Sequence, residues 1–123
     1  MSEIRATTIS DAAGTGPVTL TGQSAPKAWI NFNGTGTIAT RSSFNISSIT
    51  DSGTGIYRVD YTNAMSNGNY PTISAVAQYT PFPIAQAYIG TTNASYQILN
   101  NAQPGTADYD TDTVNAAMMG DLA

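Results

Sequence analysis

Three aspartates at alternate positions, Asp108, Asp110 and Asp112, form the densest group of ionisable side chains in this 123-residue chain. Carboxylates so spaced could gather a hard cation such as Ca²⁺. The calcium-loop pattern wants glycine at its sixth position and glutamate at its twelfth. Thr113 and Met119 stand there instead, which excludes an EF-hand. A looser cation site and a solvated acidic loop are the two readings that remain. The chain has no cysteine and no histidine, so disulfides, thiolate or imidazole metal sites and the commonest general base are all absent. Serine is plentiful, but nothing of the histidine kind stands by to activate it. Glu3 is the sole glutamate, so a glycosidase-like carboxylate pair would fall to aspartates, with Asp51 and Asp60 as weak candidates. The residue types argue against an enzyme, and no cofactor is expected.

A second constellation is aromatic. Tyr79, Phe82, Tyr88 and Tyr96 cluster in the second half of the chain, with Asn93 and Gln97 nearby. Aromatic faces edged by amides hold sugars, so Tyr79, Phe82, Tyr88, Asn93 and Tyr96 are the candidate ligand-binding residues. The same residues also suit core and subunit-interface packing. Phe82, between Pro81 and Pro83, is the best candidate for a surface contact. The sequence Gly-Thr-Gly occurs at 14–16, 34–36 and 53–55. The flanking residues differ, so this is reused turn chemistry rather than a repeat, and no helix follows to make a phosphate site. Asn33, Asn45 and Asn93 each head an Asn-x-Ser/Thr triplet; in so Asn- and Thr-rich a chain such triplets arise by chance.

The elements that must position these groups are strands. Charged residues make up 10% of the chain, against about 25% in an ordinary domain. The surface must be wetted by uncharged groups, and Thr, Ser, Asn and Gln supply 44 residues. Thr-rich, Gly- and Pro-bearing sequence favours strands and turns. Few lysines are left to guard sheet edges, so the edges are expected to be covered by partners. Net charge is −4, with Arg5, Lys27, Arg41 and Arg58 the only basic groups, which argues against nucleic-acid binding. No apolar run is long enough to insert in a membrane as a helix, and the first residues lack the pattern of a signal peptide.

Residues 1–26 hold few large apolar groups and read as an arm that gains order by docking; an edge strand plus loop is the alternative. From 27 onward, turn signals recur at strand-plus-turn intervals. Ala28, Ile30 and Phe32 alternate with Trp29, Asn31 and Asn33, so the first set is expected in the core and Trp29 at a subunit contact. Phe44–Ile49 reads as one strand with a bulge at Ser47-Ser48, where the period slips. Ile56–Tyr61 places Tyr57, Val59 and Tyr61 on the core face and Arg58 and Asp60 in water. Further strands are expected over 72–79, 84–89, 95–99 and 113–119. The sum is an all-β, antiparallel, jelly-roll-like sandwich of about eight strands over residues 27–123, carrying the 1–26 arm.

Several stretches resemble a known family. Ile4-Arg5 with Ile9–Gly16, Lys27–Thr37, and Ser43–Gly55 through Tyr57, Val59 and Tyr61 are similar to small tail-fibre-type proteins of tailed bacteriophages, especially marine ones. Met118-Met119-Gly120-Asp121 resembles their closing segment, although an aromatic often stands where Met119 is. The likeness is strongest over 27–70 and thins over 78–112. It implies a virion structural protein, homotrimeric, that attaches to the host surface, with a host glycan as a possible ligand and other virion proteins as partners. A capsid decoration or head-fibre protein on the same module is the alternative; a carbohydrate-active enzyme is a remoter one. Within that reading Ile4, Arg5, Ile9, Val18 and Leu20 would anchor the arm to the virion. No catalytic residue is implied.

Overall fold

A computed structural model describes residues 6, 9, 12–14, 25–76, 86–102 and 108–123. Among the described residues there is no helix. Eight strands, β1 (Ala28–Asn33), β2 (Ala39–Phe44), β3 (Ile46–Gly53), β4 (Ile56–Tyr61), β5 (Thr72–Val76), β6 (Gln86–Thr92), β7 (Tyr96–Ala102) and β8 (Val114–Met118), form two antiparallel sheets. Their orders are β2-β1-β8-β5 and β3-β4-β7-β6. The all-β sandwich expected from the sequence is therefore present. β1 and β8 are the inner strands of the first sheet and β4 and β7 those of the second, with β2, β5, β3 and β6 at the edges.

The period-two pattern explains the core. Ala28, Ile30 and Phe32 of β1 and Val114, Ala116 and Met118 of β8 face Tyr57, Val59 and Tyr61 of β4 and Leu99 of β7, all nearly or wholly buried. The rings of Phe32 and Tyr57 meet edge-on at 5.0 Å between centroids, a favourable arrangement for aromatic quadrupoles. Trp29, Asn31 and Asn33 take the outer face, as their alternation predicts.

Turn chemistry is supplied by one repeated device. Thr35 N bonds Asn33 Oδ1, Gly53 N bonds Asp51 Oδ1, Asn69 N bonds Asn67 Oδ1 and Ser95 N bonds Asn93 Oδ1, all two residues on. This is the Asx turn, in which a side chain mimics a backbone turn. Two of the three Asn-x-Ser/Thr triplets thus serve as turns. The third, Asn45, corrects a sequence expectation: Phe44–Ile49 is two strands in different sheets, not one. Asn45 sits between them with φ of 58°, a left-handed conformation that Asn tolerates better than most residues. Its amide donates to Lys27 O and Asn63 O and accepts from Asn63 N, which pins the crossing. Phe44 consequently lies on the outer face, 53% exposed, while Ile46 packs against the core. The bulge expected at Ser47-Ser48 is present as a register shift between Ile46 and Ser48.

Other boundaries move. β3 runs on through Asp51 to Gly53, leaving Thr54-Gly55 as the turn, and β6 runs through Gly90 to Thr92. β7 extends to Ala102, into what the sequence assigns to a loop. The expected continuation of β5 over 77–79 lies outside the described residues, as does most of the 1–26 arm.

Candidate functional site

The outer face of the first sheet gathers apolar side chains in one row. Trp29 pairs in register with Phe44 on one side and Ala117 on the other, and Ala117 pairs with Ile73. Register partners share a face, so Phe44, Trp29, Ala117 and Ile73 cross all four strands together. Phe44, Trp29 and Ile73 are 53%, 38% and 63% exposed. A shallow groove of about 330 Å³ lies along Trp29, Ile73, Ala75 and Ala117. The next outward row is polar: Asn31 Nδ2 donates to Asn115 Oδ1 at 2.6 Å. The row carries no charge.

The outer face of the second sheet is built differently. Arg58 Nε and a terminal nitrogen both donate to Asp60 Oδ1, at 2.9 and 2.6 Å. Ser48 Oγ donates to Asp60 Oδ2, and the Arg58 guanidinium stacks 4.1 Å above the Tyr96 ring. Asp60 raises the Arg58 pKa above its ordinary value, chiefly through these hydrogen bonds. On this face the Arg58, Asp60 and Ser48 side chains satisfy one another.

One end of the sandwich is tied by Asp110. Its Oδ1 accepts from Gly55 N at 2.7 Å and from Tyr57 Oη at 3.0 Å. The same phenol lies 3.0 Å from Gly34 O. Having one hydrogen, it is shared between two acceptors. Burial pushes the Tyr57 pKa up, and the neighbouring carboxylate adds to it. Gly34 is obligatory here, since an added Cβ would collide with Tyr57 Oη and lie 2.9 Å from Thr111 O. At the opposite end Tyr70 Oη donates to Asn93 O at 2.9 Å, so the 2.8 Å contact between phenols is donated by Tyr61.

Set against the candidate residues, the structure separates several. Trp29 is on the surface, in the apolar row. Tyr96 is half-buried beneath Arg58, and Asn93 is exposed at the β6–β7 turn but bonded to Ser95 N. Tyr88, on β6, pairs in register with Asn100 of β7. Tyr79 and Phe82 lie outside the described residues. Gln97, grouped with the aromatics by sequence, is fully buried and bonded to Thr72 and to Ile98 O; alternation from Leu99 turns it inward. Of the arm residues, Ile9 is exposed, and Ile4, Arg5, Val18 and Leu20 lie outside the description.

The carboxylates do not converge. Among the described residues no group of three or more could hold a metal ion; Asp110 is turned inward on Gly55 and Tyr57. Asp51 pairs with Tyr57 and Asp60 with Ser48. They are three ladder steps apart, roughly 10 Å, and project to opposite faces of the sheet. That arrangement cannot flank one glycosidic bond. Phe44 and Ile73 were missed by sequence reasoning; their register with Trp29 across the sheet is what brings them together. Comparison with protein-family models, with curated proteins and with solved structures finds no match to this chain.

Proposed function

We propose that this chain is a structural protein of a tailed-bacteriophage virion, a small tail-fibre or tail-tip component that assembles as a homotrimer and attaches to the host surface. The observation that carries the assembly part is the uncharged row Phe44–Trp29–Ala117–Ile73. The three large side chains leave roughly 300 Å² of apolar surface in water, about 7 kcal/mol at the usual transfer coefficient. An exposed contiguous apolar patch marks an interaction surface. The occupant that fits is a second copy. The patch has no charge to select a charged partner, and the adjacent Asn31 and Asn115 amides both donate and accept, so three copies of the strip can converge on a threefold axis with no charge left unpaired between them. The attachment part rests on the sequence resemblance and on the absence of a converging catalytic group among the described residues.

The experiment has two arms. Sedimentation of the purified chain should give three protomers, and Trp29→Ser with Phe44→Ser should give one; a wild-type monomer overturns the assembly. Immunogold labelling of virions should mark the tail. Label over the head overturns the tail assignment in favour of a capsid decoration protein, and no label on virions overturns both.

A further inference from the structure

We propose that the cleft between loop 65–71 and the closing segment 119–121 binds a neutral, hydroxyl-rich saccharide, a reading that rests on the host-attachment function proposed above. The cleft measures about 430 Å³ and is lined by Ser66, Asn69, Tyr70, Pro71, Met119 and Asp121 among others. It falls in the range of small-ligand sites, about 300–1,000 Å³.

Its walls are braced from both sides. Ser66 N donates to Asp121 O at 2.7 Å, Met119 N to Pro71 O at 3.0 Å and Ala123 N to Ala64 O at 3.0 Å. Met65 bridges to Leu122, and Asn69 N is fixed by Asn67 Oδ1. A site so held loses little freedom when it is filled. Two exposed polar groups stand at its rim. Among the described residues, neither the Asn69 side-chain amide nor the Asp121 carboxylate has a hydrogen-bond partner. Pro71 and Met119 give the same cleft an apolar surface.

The chemistry of these groups selects the ligand. Among the described residues Asp121 is the only charged one lining the cleft, and an ionised carboxylate accepts but does not donate. It therefore repels phosphate, sulfate and sialic acid and asks for hydroxyl donors. The Asn69 amide donates and accepts at once, as a hydroxyl pair requires. One carboxylate falls short of the six to eight oxygens a calcium ion takes. A pyranose matches all three features: hydroxyls on its rim, no charge, and an apolar C–H face for Pro71 and Met119.

The test uses the full chain and saturation-transfer NMR. The probes are the methyl glycosides of glucose, galactose, mannose and N-acetylglucosamine, with sialyllactose as the acidic control. At least one neutral glycoside should receive transfer, and sialyllactose should bind more weakly. Asp121→Asn and, separately, Asn69→Ala should each weaken binding by about tenfold, the loss of one good hydrogen bond. No transfer to any neutral glycoside, or transfer unchanged in both variants, overturns the inference. Adsorption of the chain to host cells is read in parallel. Wild-type and Asp121→Asn chains that adsorb equally sink the cleft but leave attachment standing; a wild-type chain that does not adsorb sinks attachment itself.

Discussion

Alkaline pH should unfold this protein along a slope set by three buried phenols. Tyr57, Tyr61 and Tyr70 are 0%, 7% and 8% exposed. Each has its pKa raised above the ordinary 10, in every case first by burial. Tyr57 also faces the Asp110 carboxylate, which opposes a second negative charge. Tyr61 donates its hydrogen to Tyr70, and ionisation would forfeit that bond. In the unfolded chain these phenols titrate near 10. A raised folded pKa means that the native state holds more protons than the unfolded one above that point. Their contribution to stability is therefore whole below about pH 10 and is lost as pH climbs toward the folded values. Each phenol contributes a slope of about 1.4 kcal/mol per pH unit, and three together roughly 4 kcal/mol per unit. Total stability for a domain of this size is on the order of 5–15 kcal/mol, so roughly one to four pH units exhaust it. With no histidine and no cysteine in the chain, little should titrate between about pH 6 and 9. Urea midpoints from circular dichroism across pH 6–12, with phenolate absorbance read on the same samples, measure both effects. The expected result is a plateau, then a steep fall above pH 10 in which a step of phenolate absorbance coincides with loss of the β signal. Free ionisation of all seven tyrosines near pH 10 in a still-folded protein would refute the reasoning.

Two substitutions probe the local devices that fix the fold. Gly34→Ala should destabilise by about 2–3 kcal/mol or more through overpacking, because the new methyl meets the Tyr57 ring at 2.7 Å and Thr111 O at 2.9 Å; an unchanged thermal midpoint would show that the turn gives way freely. Asn45→Ala removes three hydrogen bonds and leaves a residue less tolerant of a φ of 58°, so about 2–4 kcal/mol should be lost in urea unfolding. Asn45→Gly relieves the backbone but not the bonds, and it should recover about 1 kcal/mol of that loss.

The core of this fold was legible in the sequence because one side of each central strand faces the other sheet. Ala28-Ile30-Phe32 and Tyr57-Val59-Tyr61 alternate cleanly, and both sets are buried. What alternation cannot encode is which strands neighbour one another. Asn45 illustrates the difficulty. Its left-handed φ switches the chain between sheets within a single residue, and no run of Gly or Pro marks the place. Phe44 therefore read as sharing a strand and a face with Ile46, when it is a surface residue of another sheet beside Trp29. Long-range register hid Ile73 in the same way. Asp110 read as part of a solvated acidic loop, because nothing local reveals that Gly55 N and the Tyr57 phenol approach it across more than fifty residues. For the site, the alternation did place Trp29 outside the core; the row it belongs to needed the pairing of four strands.

The edges of the two sheets bear on how such a chain assembles. With so few charges, unguarded edges would invite strand-to-strand pairing, and cover by partners was the expectation. A second means of protection is built into the strands. The register between β1 and β2 shifts at Asn31/Phe32, with Arg41 the extra residue on β2. β3 carries two such shifts against β4, with Ser47 and Ser52 extra. β6 carries one against β7, between Ile89 and Thr92. In all four cases the extra residue belongs to the edge strand and never to its inner neighbour. A bulge bends and twists the strand that bears it, which spoils it as a template for another chain. Three of the four edges, β2, β3 and β6, are blunted in this way. The second sheet's outer face is closed by the Arg58–Asp60–Ser48 bonds and the stacked Tyr96. Of the surfaces described, the apolar row through Trp29 and the unbulged edge of β5 have neither kind of protection. The apolar row favours association face to face, and hydrogen exchange on the assembled protein should slow at the side-chain amides of Asn31 and Asn115 while the edge amides of β2, β3 and β5 exchange as in the Trp29→Ser, Phe44→Ser protomer. Protection confined to β2, β3 or β5 instead would refute the face as the contact.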